Sequence, residues 1–300
     1  MTTLKTPTLG DVVDAFHELY PAHLAESWDA SGLVAGRRST PVERVNFAVD
    51  ATVATAEEAA ADSAGLLITH HPLLLRGANF LPDTDYKGAV LHTLIENRCG
   101  LLGAHTNADA AVDGVNEALA AALDLRDVEV LAEAKEQELD GAVRQVGLGR
   151  VGRLAQPLTL KELAEKLAEI LPATAGGLRI AGDPRLSVER VALCGGAGDS
   201  LFDAVRAAGA DVYITADLRH HPASELRERA LIEGSGKPAL IDCSHAASEW
   251  VWLAGAAQKL KDLLAQRGFA IDYKVSELNT DPWDFRVSTG EVEGSASTRY

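Results

Sequence analysis

The side chains best suited to chemistry fall into three clusters: the adjacent pair His70 and His71, His105 with Asp109 in His-Thr-Asn-Ala-Asp, and His245 with Glu249 in His-Ala-Ala-Ser-Glu. Imidazole nitrogen with carboxylate oxygen is a donor set for zinc, iron, manganese or cobalt. In two clusters the histidine and the carboxylate are four residues apart, so a helical turn puts both on one face within reach of one ion or two neighbouring ions. The adjacent histidines pose a different problem. In extended backbone, successive side chains point to opposite faces, so His70 and His71 would serve two neighbouring ions more easily than one. Taken singly, each cluster has an ordinary structural reading, as a polar turn, a helix N-cap or a first-turn acid. The set points to chemistry because all three clusters fall where a strand gives way to a loop or helix, which brings them to one sheet edge. Cys99, Cys194 and Cys243 are scattered with no CxxC pair, which argues against a disulfide framework, a zinc ribbon and an iron–sulfur cluster. Cys243 is expected to be a buried structural thiol.

The elements that must position these groups are legible in the hydrophobic pattern. Leu9, Val12, Val13, Phe16 and Leu19 recur at helical spacing behind Thr8 as N-cap, and Pro21 ends the helix. Strands at 45–49, 66–69 and 101–104 then alternate with helices at 55–62, 86–97 and 112–123. Such alternation predicts an α/β fold with mixed, largely parallel sheets flanked by helices, whose ligands gather at the carboxyl ends of strands. Pro41-Val-Glu-Arg-Val45 reappears as Ser187-Val-Glu-Arg-Val191, and each copy leads through a helix to a strand that ends near His-His-Pro, at His70-His71-Pro72 and at His220-His221-Pro222. A further helix and strand follow in each copy, ending at His105 and at His245. Residues 41–130 and 187–275 therefore read as related halves. Between them, 132–139 reads as a charged loop, 143–154 as a strand or hairpin, and 159–171 as a helix capped by Thr159. The expected organisation is one unit over 1–285 with lobes at about 1–130 and 187–285, a connector at 131–186, no inserted middle domain, and a mobile tail at 286–300.

Composition bounds the function. The 44 acidic and 28 basic residues leave a formal charge of −16, which repels nucleic-acid backbones and disfavours general nucleic-acid binding. No window approaches the ~20 apolar residues of a membrane span, and the N-terminus lacks an apolar signal core. The expected setting is the cytoplasm.

Trp28-Asp-Ala-Ser-Gly-Leu33, Leu67-Ile-Thr-His-His-Pro-Leu73, Ala104-His-Thr-Asn-Ala-Asp-Ala110, Val115-Asn116, Gly147-Leu-Gly-Arg-Val-Gly152, Cys194-Gly-Gly-Ala-Gly198, Ala210-Asp-Val-Tyr-Ile-Thr215 and Leu240-Ile-Asp-Cys-Ser-His245 together resemble the Nif-three-like proteins, known as GTP cyclohydrolase 1 type 2 homologues. The resemblance spans residues 9–283. It implies a two-lobed α/β subunit, a dinuclear metal centre between the lobes and a ring-shaped homohexamer whose metals face an internal cavity. Carried over by motif, it implies two divalent ions per subunit (zinc, iron or manganese) held by His70, His71, Asp109, His245 and Glu249. His105 would stand behind the ligands, and His105 and His221 would be candidate proton shuttles. The implied activity is hydrolytic opening of a guanine ring in a nucleotide-like substrate. A metal-dependent phosphohydrolase and a non-enzymatic metal-binding or scaffold hexamer remain as alternatives. Three departures stand out: Asp242-Cys-Ser-His245 replaces the usual Asp-Ala-Gly-His, the middle insertion of longer relatives has no room here, and His220-His221 stands where a single histidine is usual. The Gly-rich turn at 194–200 is expected to be a tight strand-to-helix turn, with phosphate binding as the sharper reading. Trp28 and Asp29 are expected to serve packing and interface formation, with Asp29 a lesser candidate for the cavity wall.

Overall fold

The computed structural model describes residues 4–287, so the expected tail falls almost wholly outside the described residues. The chain divides into two compact units. The first comprises Met1–Gly114, Glu136–Arg144 and Trp252–Thr280, and the second Val115–Lys135, Gln145–Val251 and Asp281–Tyr300.

The first unit opens with α1 (Leu9–Leu19), whose N-terminus is closed by a capping box between Thr8 and Asp11. Its apolar stripe, Leu9, Val12, Val13 and Phe16, is fully buried. The five-stranded sheet has the order β1-β4-β3-β2-β11. Its centre is β2 (Arg44–Ala48), β3 (Leu66–Thr69) and β4 (Gly100–Gly103), all parallel, with β11 (Asp272–Val275) parallel to β2 and β1 (Gly32–Ala35) antiparallel to β4. β3 is buried at every position, which explains its unbroken apolar run. The crossover helices α2 (Val53–Ala61) and α3 (Tyr86–Glu96) pack Ala56, Ala59, Val90 and Leu94 against Leu67 and Leu101. The short α4 (Thr106–Ala110) follows β4. At Gly100 a Cβ would come to 2.5 Å from a Leu9 methyl, so glycine is what lets α1 lie against β4.

The second unit carries α5 (Val115–Ala122), most of the long strands β5 (Arg126–Leu139) and β6 (Ala142–Thr159), whose joined ends at 136–144 fall in the first unit, then α6 (Leu160–Ile170), β7 (Arg179–Ala181), β8 (Ser187–Ala197), α7 (Phe202–Ala207), β9 (Val212–Ala216), α8 (His220–Ile232), β10 (Ala239–Cys243) and α9 (His245–Trp250). Its sheet has the order β5-β6-β8-β9-β10-β7, with β8, β9 and β10 parallel and β7 antiparallel to β10. Each unit therefore contains three parallel strands, joined by helices and added in one direction, with an antiparallel strand beside the third. This shared topology is the structural counterpart of the repeated pentapeptide.

Two expectations need correction. Residues 132–139 are not a loop but the end of β5, an edge strand paired only with β6. Most of its side chains face solvent, and its last residues, Lys135-Glu-Gln-Glu138, carry no apolar alternation. The stretch expected as a connector is built into the second sheet: β6 pairs with β8, and Leu160, Leu163 and Leu167 of α6 pack on Val188, Val191 and Ile214. Among the described residues, no helix is long and apolar enough to cross a membrane. The last helix, α10 (Leu253–Gln266), belongs to the first unit.

Candidate metal centre

In the first unit, the carboxyl ends of three neighbouring parallel strands supply the site. β3 delivers His70 and His71, β4 delivers His105, and β2 is followed by Asp50. β3 ends at Thr69 and the chain bends at His70, so the extended backbone that would send the adjacent histidines to opposite faces is not present there. One ring nitrogen from each of His70, His71 and His105 lies within 4.8 Å of the others. His70, fully buried, has Nδ1 2.8 Å from the carbonyl oxygen of Ala104 and Nε2 3.6 Å from Asp109 on α4. His71 Nδ1 is 2.7 Å from Asp50 Oδ1, and Asp50 Oδ2 accepts from the Thr280 hydroxyl. His105 Nδ1 is 2.9 Å from Asp29 Oδ1.

Asp29 is enclosed by donors. It also accepts from Thr106 N at 3.0 Å, Thr106 Oγ1 at 2.5 Å and Ser31 Oγ at 2.7 Å. Burial alone would push its pKa up, but hydrogen bonds from His105, Thr106 and Ser31 outweigh that and hold the carboxyl well below the usual range. The neighbouring Trp28 is 61% exposed and sets its ring edge-on to His105, with centroids 5.8 Å apart.

In the second unit, the helical spacing reads true: His245 opens α9 and its Nε2 is 3.0 Å from Glu249 Oε1, one turn on. His245 Nδ1 is 2.7 Å from Asp217, which follows β9. Glu249 is 2% exposed. The end of β8 passes close by, and Gly196 adopts φ +66°, a conformation that favours glycine. A Cβ there would collide with Glu249 Oε1 and stand 3.0 Å from His245 Nε2.

A common rule runs through the four histidines. A carbonyl or an ionised carboxylate only accepts, so Nδ1 must donate in each ring, which leaves Nε2 as the nitrogen available to an ion; at His245 that nitrogen stands 3.0 Å from Glu249 Oε1. This is how metal-binding histidines are oriented in general. Imidazole lone pairs held beside the carboxylates Asp109 and Glu249 fit a divalent transition metal, and several of these His and Glu groups could hold one.

The Duf34/NIF3 (NGG1p interacting factor 3) family model matches residues 7–282. The chain belongs to this family. Among its NIF3 relatives is a Streptomyces coelicolor protein named GTP cyclohydrolase 1 type 2 homolog, 48% identical over 289 residues and covering 96% of this chain and 98% of its own length. A Mycobacterium bovis protein of the same name is 34% identical, with 94% of this chain and 98% of its own length covered. That alignment runs over 382 positions against a chain of 300, so the mycobacterial protein carries sequence this chain lacks. The crystal structure of a Bacillus cereus protein related to NIF3 superposes with a TM-score of 0.84 at 24% identity, covering 94% of this chain and all of the other.

Within this NIF3 chain, His220 and His221 lie exposed at the start of α8, with ring centroids 5.2 Å apart. Neither joins a described group of His, Cys, Asp and Glu close enough to share an ion. In the Gly-rich turn, Gly195 N donates to Asn116 Oδ1 and Gly196 N to Ser248 Oγ. Both N–H groups are thus spent inside the unit, as a tight turn requires. Cys243 is packed with Ile241 and Ala247, and burial pushes its thiol up to about 12. The orienting carboxylates Asp50 and Asp217 escaped the sequence reading. The available signal was their place at strand ends: Asp50 directly follows the expected strand at 45–49, and Asp217 directly follows β9.

Proposed function

We propose that this chain is a dinuclear metal-dependent hydrolase of nucleotide-like substrates, with His70, His71, Asp109, His245 and Glu249 together holding two divalent ions per chain. The observation that carries the reading is the uniform engagement of the four histidines, each with Nδ1 held by a carbonyl or carboxylate acceptor so that Nε2 is the nitrogen left for an ion. Divalent ions held by such a set would supply Lewis acidity and a hydroxide nucleophile near neutral pH. The residues of the chain do the rest. Asp50 and Asp217 fix two of the ligand rings, the buried Glu249 presents a carboxylate shielded from water, and His105 stands where it could carry a proton to or from a substrate. His221 is a second proton-carrier candidate from α8. The name shared by the relatives favours a guanine nucleotide and hydrolytic opening of its five-membered ring with release of formate. By the same resemblance, the working assembly is a homohexamer.

The test is elemental analysis of the purified chain beside Glu249→Ala and His70→Ala, with GTP turnover followed as formate and as phosphate on the same samples. Two transition-metal ions per chain, falling in both variants and accompanied by formate, are expected. Phosphate in place of formate would make the site a phosphohydrolase. Metal without turnover would make it a binding or scaffold protein, and no metal after reconstitution would sink the ligand set. Sedimentation of the same samples tests the hexamer.

A further inference from the structure

The geometry points to Asp29 as a positioning residue that sets with one carboxylate both His105, which stands behind the ligands, and the helix that bears the ligand Asp109, an assignment that rests on the proposed ligand set His70, His71 and Asp109. Asp29 lies 76 positions before His105 in the chain, yet its side chain is fully buried against that residue. Its two oxygens do different work.

Oδ1 faces His105 Nδ1 at 2.9 Å. A carboxylate has no proton to give, so the ring must donate from Nδ1, which leaves Nε2 as the lone-pair nitrogen of a ring whose neighbours are His70 and His71. Oδ2 faces α4. This helix has five residues, and its N-cap residue, His105, makes no side-chain cap of its own. The first N–H groups of any helix need an acceptor from elsewhere. Asp29 Oδ2 takes Thr106 N at 3.0 Å and the Thr106 hydroxyl at 2.5 Å. The Thr106 hydroxyl in turn accepts from Glu26 N at 2.9 Å, which ties the loop before Asp29 to the same helix. α4 carries Asp109, whose Oδ1 is 3.6 Å from His70 Nε2. One carboxylate thus fixes the protonation pattern of His105 and anchors the helix that presents Asp109.

The two tasks can be separated. In Asp29→Asn, the amide oxygen can keep the Thr106 bonds while the amide NH2 turns to His105 Nδ1. A donor there forces the proton of a neutral ring onto Nε2, the nitrogen that should face the cluster. Asp29→Ala removes both tasks. The experiment uses the full chain labelled with 15N in its histidines and stripped of metal, with His105 signals assigned by their absence in His105→Gln. Long-range 15N–1H correlation is expected to show His105 protonated on Nδ1 in the wild type and on Nε2 in Asp29→Asn. Zinc affinity, measured against a competing chelator, is expected to fall 10–100-fold in Asp29→Asn, with a melting temperature lowered less than in Asp29→Ala because only the Ala30 N–H bond to Oδ1 is lost beside the His105 contact. In Asp29→Ala affinity should fall with the larger drop in melting temperature. A wild-type His105 protonated on Nε2, a tautomer indifferent to Asp29→Asn, or undiminished zinc affinity in that variant would each overturn the assignment. A wild type that binds no zinc but shows the tautomer switch would refute the metal reading while upholding the control of His105 by Asp29.

Discussion

Gly196→Ala is the substitution whose cost can best be worked out from the structure. Gly196 has φ +66°, and an alanine in this region costs about 1–2 kcal/mol. The new methyl would also collide with Glu249 Oε1 and sit 3.0 Å from His245 Nε2. The backbone cannot simply retreat. Its N–H donates to Ser248 Oγ at 2.9 Å and its carbonyl accepts from Thr215 Oγ1 at 2.9 Å, and each buried bond is worth about 1 kcal/mol. The total expected loss is about 2–4 kcal/mol. Gly209→Ala is the matched control, since Gly209 has φ +63° in the same unit and open space where the methyl would go. It should lose only the conformational part, about 1–2 kcal/mol. Urea denaturation gives both stabilities, and metal content after reconstitution reads the site. Gly196→Ala should lose metal from the His245–Glu249 half while Gly209→Ala keeps it. Equal stabilities for the two variants, with full metal content in both, would refute the claim that Gly196 keeps a space open for the site.

Other consequences follow from groups remote from the proposed metal ligands. Asp211 accepts from Glu189 N, Arg190 N and Lys237 Nζ. Burial pushes its pKa up, but those bonds outweigh it and the folded value lies below the ordinary one. Its stabilisation is therefore complete above an unfolded pKa of about 3.9 and lost as pH falls through the folded value. Asp211→Asn should cost about 2 kcal/mol at pH 7, with the gap from wild type closing in denaturation curves below about pH 4. Arg150 is 1% exposed and donates to the carbonyls of Gly147 and Gly149 and to Glu117. Arg150→Met should lower stability by about 3 kcal/mol in the same assay, and an unaltered midpoint would show these bonds to be dispensable. Burial pushes the Cys99 thiol up to about 12, so iodoacetamide at pH 8 should leave it intact in the folded protein and modify it in urea, as mass spectrometry would show.

Much of the site was legible because its ligand types are unusual and their spacings local. His245 and Glu249 are one helical turn apart in the sequence and on α9 alike. The Thr8 and Thr159 caps were equally readable, since a capping box is written within four residues. What stayed hidden depends on pairing across distance. Asp50 meets His71 from 21 positions away, and Asp217 meets His245 from 28, because neighbouring parallel strands bring their ends together. β5 was hidden for another reason. An edge strand bathed on most of its length needs no apolar alternation, and positive φ at Asp127 and Glu133 interrupts its regularity. The strand itself ends at Thr69 as its pattern predicts, but the bend that follows at His70 is not written in residue types.

The interleaving of the two units has a bearing on how the chain is made. A ribosome releases residues 1–114 first, but the first unit cannot be finished from them: it still needs 136–144 and then 252–280. Until Asp272–Val275 emerge as β11, the outer edge of β2 has no strand beside it. By then all of 145–251, the largest piece of the second unit, has already left the exit tunnel. The later-encoded unit can therefore settle before the earlier one closes, the reverse of the usual N-terminal-first order. A premature stop anywhere before residue 272 would leave an open sheet edge as a template for aggregation. For the same reason, neither unit can be expressed as one uninterrupted fragment.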